Sequence, residues 1–171
     1  MRWPKRLTRK KPTTTDLSLT LTRHINTSPA TVWRCWTDPE LLAKWFAPDP
    51  VQITTCEVDP KPGGVFNVVM QMPGQDPMVA PAGCVLVADK DARLVWTAAL
   101  GPGFAPNPPH DTAGDFYLTV DLTMSAEDGG RRYKVKAMHA TPAAVQAHEK
   151  MGFFEGWGTT TDQLSALAEA Q

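Results

Sequence analysis

Residues 151–164 read MGFFEGWGTTTDQL. Three large aromatics, Phe153, Phe154 and Trp157, share this stretch with three glycines, Gly152, Gly156 and Gly158. Phe153, Trp157, Leu164, Leu167 and Ala168 recur at helical spacing, so the stretch belongs to an amphipathic helical region over 142–170. Glycine costs roughly 1 kcal/mol against alanine inside a helix. Gly152 is therefore expected to break this region into a short helix over 142–151 and a main one over 153–169. Gly156 and Gly158 flank Trp157 and cannot both face the same neighbour. One of them is expected to leave room for a close backbone approach or for part of a cavity, while Phe153 and Trp157 pack inward.

What such a helix packs against is written upstream. From Thr13 to Ile25, Leu17, Leu19 and Leu21 alternate with Ser18, Thr20 and Thr22, the pattern of a half-buried strand. Two short helices follow, each with an N-cap and a proline in its first turn: Ser28-Pro29 and Asp38-Pro39. Their greasy stripes are Val32, Trp33 and Trp36, then Leu41, Leu42 and Trp45, and Pro48 and Pro50 are expected to end the second. From Val51 onward the chain reads as strands separated by turn residues. The alternation is cleanest in Phe116, Leu118, Val120, Leu122 and Met124, and then in Tyr133, Val135, Ala137 and His139. Strands in series with short turns pair antiparallel, and their apolar face needs a cover. The helical region beginning at Pro142 is the one long element left to supply it.

Bulk properties bound the class. The chain has 171 residues, 42% hydrophobic and 20% charged, which fits one ordinary globular domain. The first eleven residues carry six of the 17 Lys and Arg and none of the 18 Asp and Glu, leaving a body with a net charge of −7. A basic tail can seek nucleic acid or anionic lipid, but a solvated, disordered tail over 1–12 is the plainer reading. An acidic body argues against nucleic-acid binding. Cys35, Cys56 and Cys84 are odd in number and widely spaced, which points to reduced thiols, hence to the cytoplasm, rather than to disulfides. No apolar run reaches the roughly 18–20 residues of a membrane helix.

Four stretches together resemble a known superfamily: VWRCWTDPELLAKWFAP (32–48), EVDPKPGGVF (57–66), LVADKDARLVWT (86–97) and residues 151–164. In combination they resemble the START-like (SRPBCC, helix-grip) superfamily, which includes the birch-pollen-allergen and polyketide-cyclase families. Within it they are most similar to the family related to the C-terminal domain of the activator of the heat-shock-protein-ninety ATPase. The resemblance implies an α+β fold. A curved antiparallel sheet of about seven strands (one strand, two short helices, six strands) wraps a long C-terminal helix, with a cavity between sheet and helix. One such domain is expected over 13–171. Members of the superfamily range from apolar-ligand binders to cyclases to a co-chaperone domain.

Motifs for particular chemistry are sparse. His24, His110, His139 and His148 show no metal-ligand spacing, and His148-Glu149 lacks the second helical histidine of a zinc protease because position 152 is Gly. No metal and no cofactor is implied. His139 falls on the inner face of the last strand, where it can act as a base or polarise a carbonyl, or simply bond to backbone at the strand end; no partner for it can be located from sequence. His148 reads as a surface residue. Ligand pockets are mostly apolar, so core and pocket residues overlap, and Phe66, Met70, Trp96, Phe116, His139, Phe153 and Trp157 form the candidate ligand-binding set. The Pro-rich connection from Gly101 to Gly114 reads equally as a lid or as a plain loop. The expected partner is a small apolar or amphipathic ligand, with no nucleic acid and no membrane insertion. The competing readings are an enzyme of cyclase or hydrolase type and a protein-interaction module. The oligomeric state, a homodimer included, stays open.

Overall fold

In the computed structural model, residues 16–109, 116–127 and 130–171 are described. The basic tail over 1–12 and the far end of the Pro-rich connection lie outside them. Strand β1 (Ser18–Ile25) opens the domain, with Leu19, Leu21 and Ile25 turned inward. Helix α1 (Pro29–Thr37) starts where the Ser28 hydroxyl accepts from the Thr31 N–H at 3.1 Å. Helix α2 (Pro39–Leu42) starts where the Asp38 carboxylate accepts from the Glu40 N–H at 2.9 Å. Regular α2 ends at Leu42, earlier than Pro48 and Pro50 suggested. The chain still buries Trp45, because the indole N–H donates to the Cys35 carbonyl at 2.9 Å and fixes the ring.

Seven strands form one antiparallel sheet: β1, β2 (Gln52–Val58), β3 (Val65–Gln71), β4 (Gly83–Asp89), β5 (Arg93–Thr97), β8 (Leu118–Glu127) and β9 (Gly130–His139). Their spatial order is β1-β9-β8-β5-β4-β3-β2. The first strand therefore pairs with the last, Leu19 opposite Ala137 and Leu21 opposite Val135. Pairing between β3 and β4 is confined to Val65–Cys84 and Phe66–Gly83, so beyond this point the two strands run without pairing. The Asp59–Gly64 turn holds this corner. A Cβ on Gly64 would lie 2.1 Å from the Asp59 carbonyl oxygen, so only glycine fits.

The connection after β5 is more ordered at its start than expected. Residues 100–106 fold back as a small hairpin, β6 (Leu100–Gly101) against β7 (Ala105–Pro106), around a single 3-10 turn. The Asn107 amide anchors it by donating to the carbonyls of Ala82 and Ala98, each at 2.9 Å.

Two helices close the chain, α3 (Pro142–Lys150) and α4 (Phe153–Glu169). The break is at Gly152, whose φ of +93° an L side chain rarely adopts. Helix α4 lies against β1 and α1, and Leu164 and Ala168 enter the main core. Its C-terminal end is tied to the β1–α1 junction, where the Asn26 N–H donates to Glu169 and the Thr27 hydroxyl to the Ala168 carbonyl. Gln163 donates to the carbonyls of Trp45 and Ala47, stitching α4 to the segment after α2. Among the described residues no helix is long and apolar enough to cross a membrane.

Candidate functional site

The inner faces of the strands meet α1 and α4 across a line of aromatic rings. Trp96 stacks on Phe66 at 4.3 Å with the planes 8° apart. Phe66 meets Phe46 at 6.1 Å, Phe46 meets Trp157 at 6.0 Å, and Trp157 meets Phe153 at 6.1 Å. Trp36 and Trp45 pack against the same line. Ring-on-ring packing at these distances fills space that a larger ligand would need. Phe66 and Trp96 are core residues here and line neither of the cavities described next.

A cavity of about 200 Å³ remains between helix and sheet. Its helical wall is Phe153, Gly156, Trp157 and Thr160, positions i, i+3, i+4 and i+7 of one α4 face. Phe46 and Pro48 close one side, Met70 of β3 another, and Met151, Gly152 and His148 the third. Gly156 is what leaves the helical wall open: a Cβ built there meets nothing within 4 Å. Gly158, two residues on, is buried and faces Arg23 instead, with the guanidinium 3.4 Å from a built Cβ.

A second cavity, about 820 Å³, lies at the end of the sheet. Its walls are the last residues of β9 with Ala140 and Thr141, the α3 face of Ala143, Ala144 and Ala147, and Phe116, Tyr117 and Thr119 at the start of β8. Ala99 and Pro109 complete the lining. Both sheet faces contribute: His139 points inward, whereas Met138 and Thr119, each one residue off the inward set, do not. This space is therefore not the expected gap under the C-terminal helix.

Two histidines join the cavities. His139 lines the larger, His148 lines the smaller, and their rings bond directly, Nε2 of His139 to Nδ1 of His148 at 2.8 Å. His139 is 6% exposed, and its Nδ1 lies 3.3 Å from the Leu17 carbonyl oxygen. Phe116 packs edge-on to His139 and against His148, and Phe153 packs edge-on to His148, so both rings are wedged. Burial, and then the neighbouring His139, lower the pKa of His148 to about 4. The His148 ring is then neutral at ordinary pH. The partner of His139 is thus His148, a residue that reads as surface in the sequence. One signal for it exists: His148 stands four residues after the buried Ala144, on the same face of α3.

Of the candidate set, Phe116 and His139 line the larger cavity, and Met70, Phe153 and Trp157 the smaller. Phe46, His148, Gly156 and Thr160 join them there without having stood out in the sequence. A further buried polar group sits deeper. The Tyr133 hydroxyl, with Trp36 and Thr161 as its polar neighbours, has no partner in hydrogen-bonding geometry among the described residues. Among the described residues no three His, Cys, Asp or Glu side chains gather as a metal site. Cys35, Cys56 and Cys84 are free thiols, and burial pushes Cys56 up to about 11.

The profile of the family described as activator of Hsp90 ATPase homolog 1-like protein matches residues 26–169. Among solved structures, a protein of Nitrosomonas europaea is 40% identical, with 91% of this chain and 96% of that one covered and a TM-score of 0.83. A Mycobacterium smegmatis protein is 26% identical over 89% of this chain and 90% of its own, with a TM-score of 0.70. A Rhodobacter sphaeroides protein at 23% identity shares the fold, with a TM-score of 0.75 over 91% of this chain and 95% of its own. No curated protein matches the chain.

Proposed function

The chain belongs to the family of activator of Hsp90 ATPase homolog 1-like proteins, within the START-like superfamily, and on that premise we propose that it binds a small apolar or amphipathic molecule between the sheet and α4. One observation carries the reading. The 200 Å³ space is walled by Phe46, Met70, Phe153 and Trp157, kept open by a helical glycine, and given polar side chains by His148 and Thr160. Apolar walls with a few fixed polar groups are what a small-molecule site needs for affinity and orientation.

The same geometry weighs against the enzyme reading. A general base works best when its pKa lies near the working pH, and a histidine at about 4 holds its proton too weakly at neutrality. His148 is better suited to holding a ligand than to moving its proton.

Native mass spectrometry of protein purified from its own host, paired with titration of small apolar probes, tests the proposal. A co-purified molecule, and a probe affinity that changes in Trp157→Ala, support it. Unchanged affinity in Trp157→Ala counts against a site at this wall.

A further inference from the structure

Two features have no part in the ligand reading: the six positive charges of residues 1–11, and the apolar side chains left in solvent. Of the six large apolar side chains exposed among the described residues, five gather around one end of the domain, beside the small cavity. Met151, 74% exposed, lines that cavity, and Phe154 packs edge-on to Phe153 in its wall. On the sheet side, Met78 is bridged to the lining residue Met70, and its N–H donates to the Met70 carbonyl at 2.7 Å. Val79, 80% exposed, follows Met78, and Met72 stands two residues beyond Met70. Phe104 alone lies elsewhere, over Gly63.

The basic segment joins the domain at the same end. The His139 N–H donates to the Leu17 carbonyl at 2.8 Å, and the His139 ring bonds to His148, which lines the small cavity. Lys11 is six residues before Leu17, a reach of at most about 20 Å. The folded rim itself is acidic: Asp49, Asp76, Glu149 and Glu155 are exposed around it against Lys150. Its apolar side chains and the charges of the first eleven residues therefore complement each other.

We propose that this end of the domain docks on an anionic lipid bilayer, with residues 1–11 supplying the charge and Met78, Val79, Met151 and Phe154 resting in the headgroup layer. Peripheral binding grows with buried apolar area and with attraction to anionic lipid. The rim alone is repelled by such a surface because of its carboxylates, and the basic segment reverses the sign. Nucleic acid offers the same negative charge but no apolar phase for these side chains. The docking is peripheral, since among the described residues no helix is long and apolar enough to cross a membrane. It stands independently of what the cavity holds.

The test is co-sedimentation of the full chain with vesicles of phosphatidylcholine alone and of phosphatidylcholine containing about 30% phosphatidylserine. Binding is expected only to the second, and it is expected to fall roughly tenfold from about 0.1 M to about 0.5 M salt as the charges are screened. Each Lys or Arg near an anionic surface is worth about fivefold in binding, so Arg9→Gln, Lys10→Gln and Lys11→Gln together are expected to cost roughly a hundredfold. Met151→Gln with Phe154→Gln is expected to keep the circular-dichroism spectrum and to lose roughly fivefold of binding. Val79→Gln, at the most exposed of these positions, reads the sheet side of the rim and is expected to weaken binding in the same direction. Equal binding to the two vesicle types overturns the proposal, as does unchanged binding in the tail variant or in both rim variants. A short DNA duplex bound more tightly than the mixed vesicles, with no effect of the rim substitutions, overturns it in favour of nucleic acid. A full chain that stays in solution with both vesicle types also overturns it, and is the result expected if the basic segment is held by the acidic rim of its own chain.

Discussion

The three glycines of 151–164 separate cleanly when each is replaced by alanine, because the structure gives each a different environment. At Gly156 a Cβ meets nothing within 4 Å. Alanine there gains helix propensity at no steric cost, about 0.5–1 kcal/mol. At Gly152 the backbone stands at φ +93°, and an L residue held in that region costs on the order of 1–2 kcal/mol. At Gly158 the nearest atom to a Cβ is the end of the Arg23 side chain at 3.4 Å, a flexible neighbour that can shift, so the change is small and in the stabilising direction. Gly156→Ala and Gly152→Ala therefore differ by roughly 2 kcal/mol, which in a domain of this size is about 4–8 °C in melting temperature. Thermal unfolding followed by circular dichroism reads this directly. Gly156→Leu adds the functional half: its side chain enters the 200 Å³ space, so toluene binding is expected to disappear while the melting temperature stays at or above that of the unsubstituted protein. A destabilised Gly156→Ala, or a neutral Gly152→Ala, would refute the reasoning. The first outcome would mean that the wall is closed by something other than open space, the second that α3 and α4 do not need a left-handed joint.

Other expectations concern the histidines and the aromatic line. His148 has its folded pKa lowered to about 4 from 6.5 in the free residue, so between these values the unfolded chain binds the extra proton. Stability is then fully present above about pH 6.5 and is lost as pH falls toward 4; allowing for the half-exposed ring, the loss is on the order of 1–2 kcal/mol. Urea unfolding at stepped pH checks this, and a slope that persists in His148→Phe would assign it elsewhere. Trp96→Ala is expected to cost about 3–5 kcal/mol, as a buried ring stacked on Phe66, yet to leave toluene affinity within twofold. Trp157→Ala should do the reverse, changing affinity more than stability, and calorimetry on the two variants distinguishes them. Tyr133→Phe removes a hydroxyl with no partner in hydrogen-bonding geometry among the described residues and is expected to cost less than about 1 kcal/mol; a loss above 2 kcal/mol in urea would show that the hydroxyl is satisfied.

Much of this architecture was legible residue by residue. The caps at Ser28 and Asp38, the break at Gly152 and the inward faces of β8 and β9 all follow from signals within a few residues of each other. Caps satisfy local N–H groups, glycine alone is at ease at positive φ, and alternation sets which side chains share a face. The four family stretches added the layer arrangement, which local signals do not carry. The candidate site was legible only in part. Met70, Phe116, His139, Phe153 and Trp157 do border cavities, but Phe66 and Trp96 are spent on each other, and a periodic pattern cannot tell a ring facing a void from a ring facing another ring.

Sequence alone therefore determined where most helices and strands start and which side of each is greasy, but not where α2 ends or that residues 100–106 form a hairpin. Tertiary structure alone decided which greasy sides meet. The pairing of β1 with β9 brings the Leu17 carbonyl to His139, and the packing of α3 on the end of β9 brings His148 to the same ring. These contacts join residues far apart in the chain, and they depend on sheet register and on the angle at one glycine. No short window of sequence encodes that geometry.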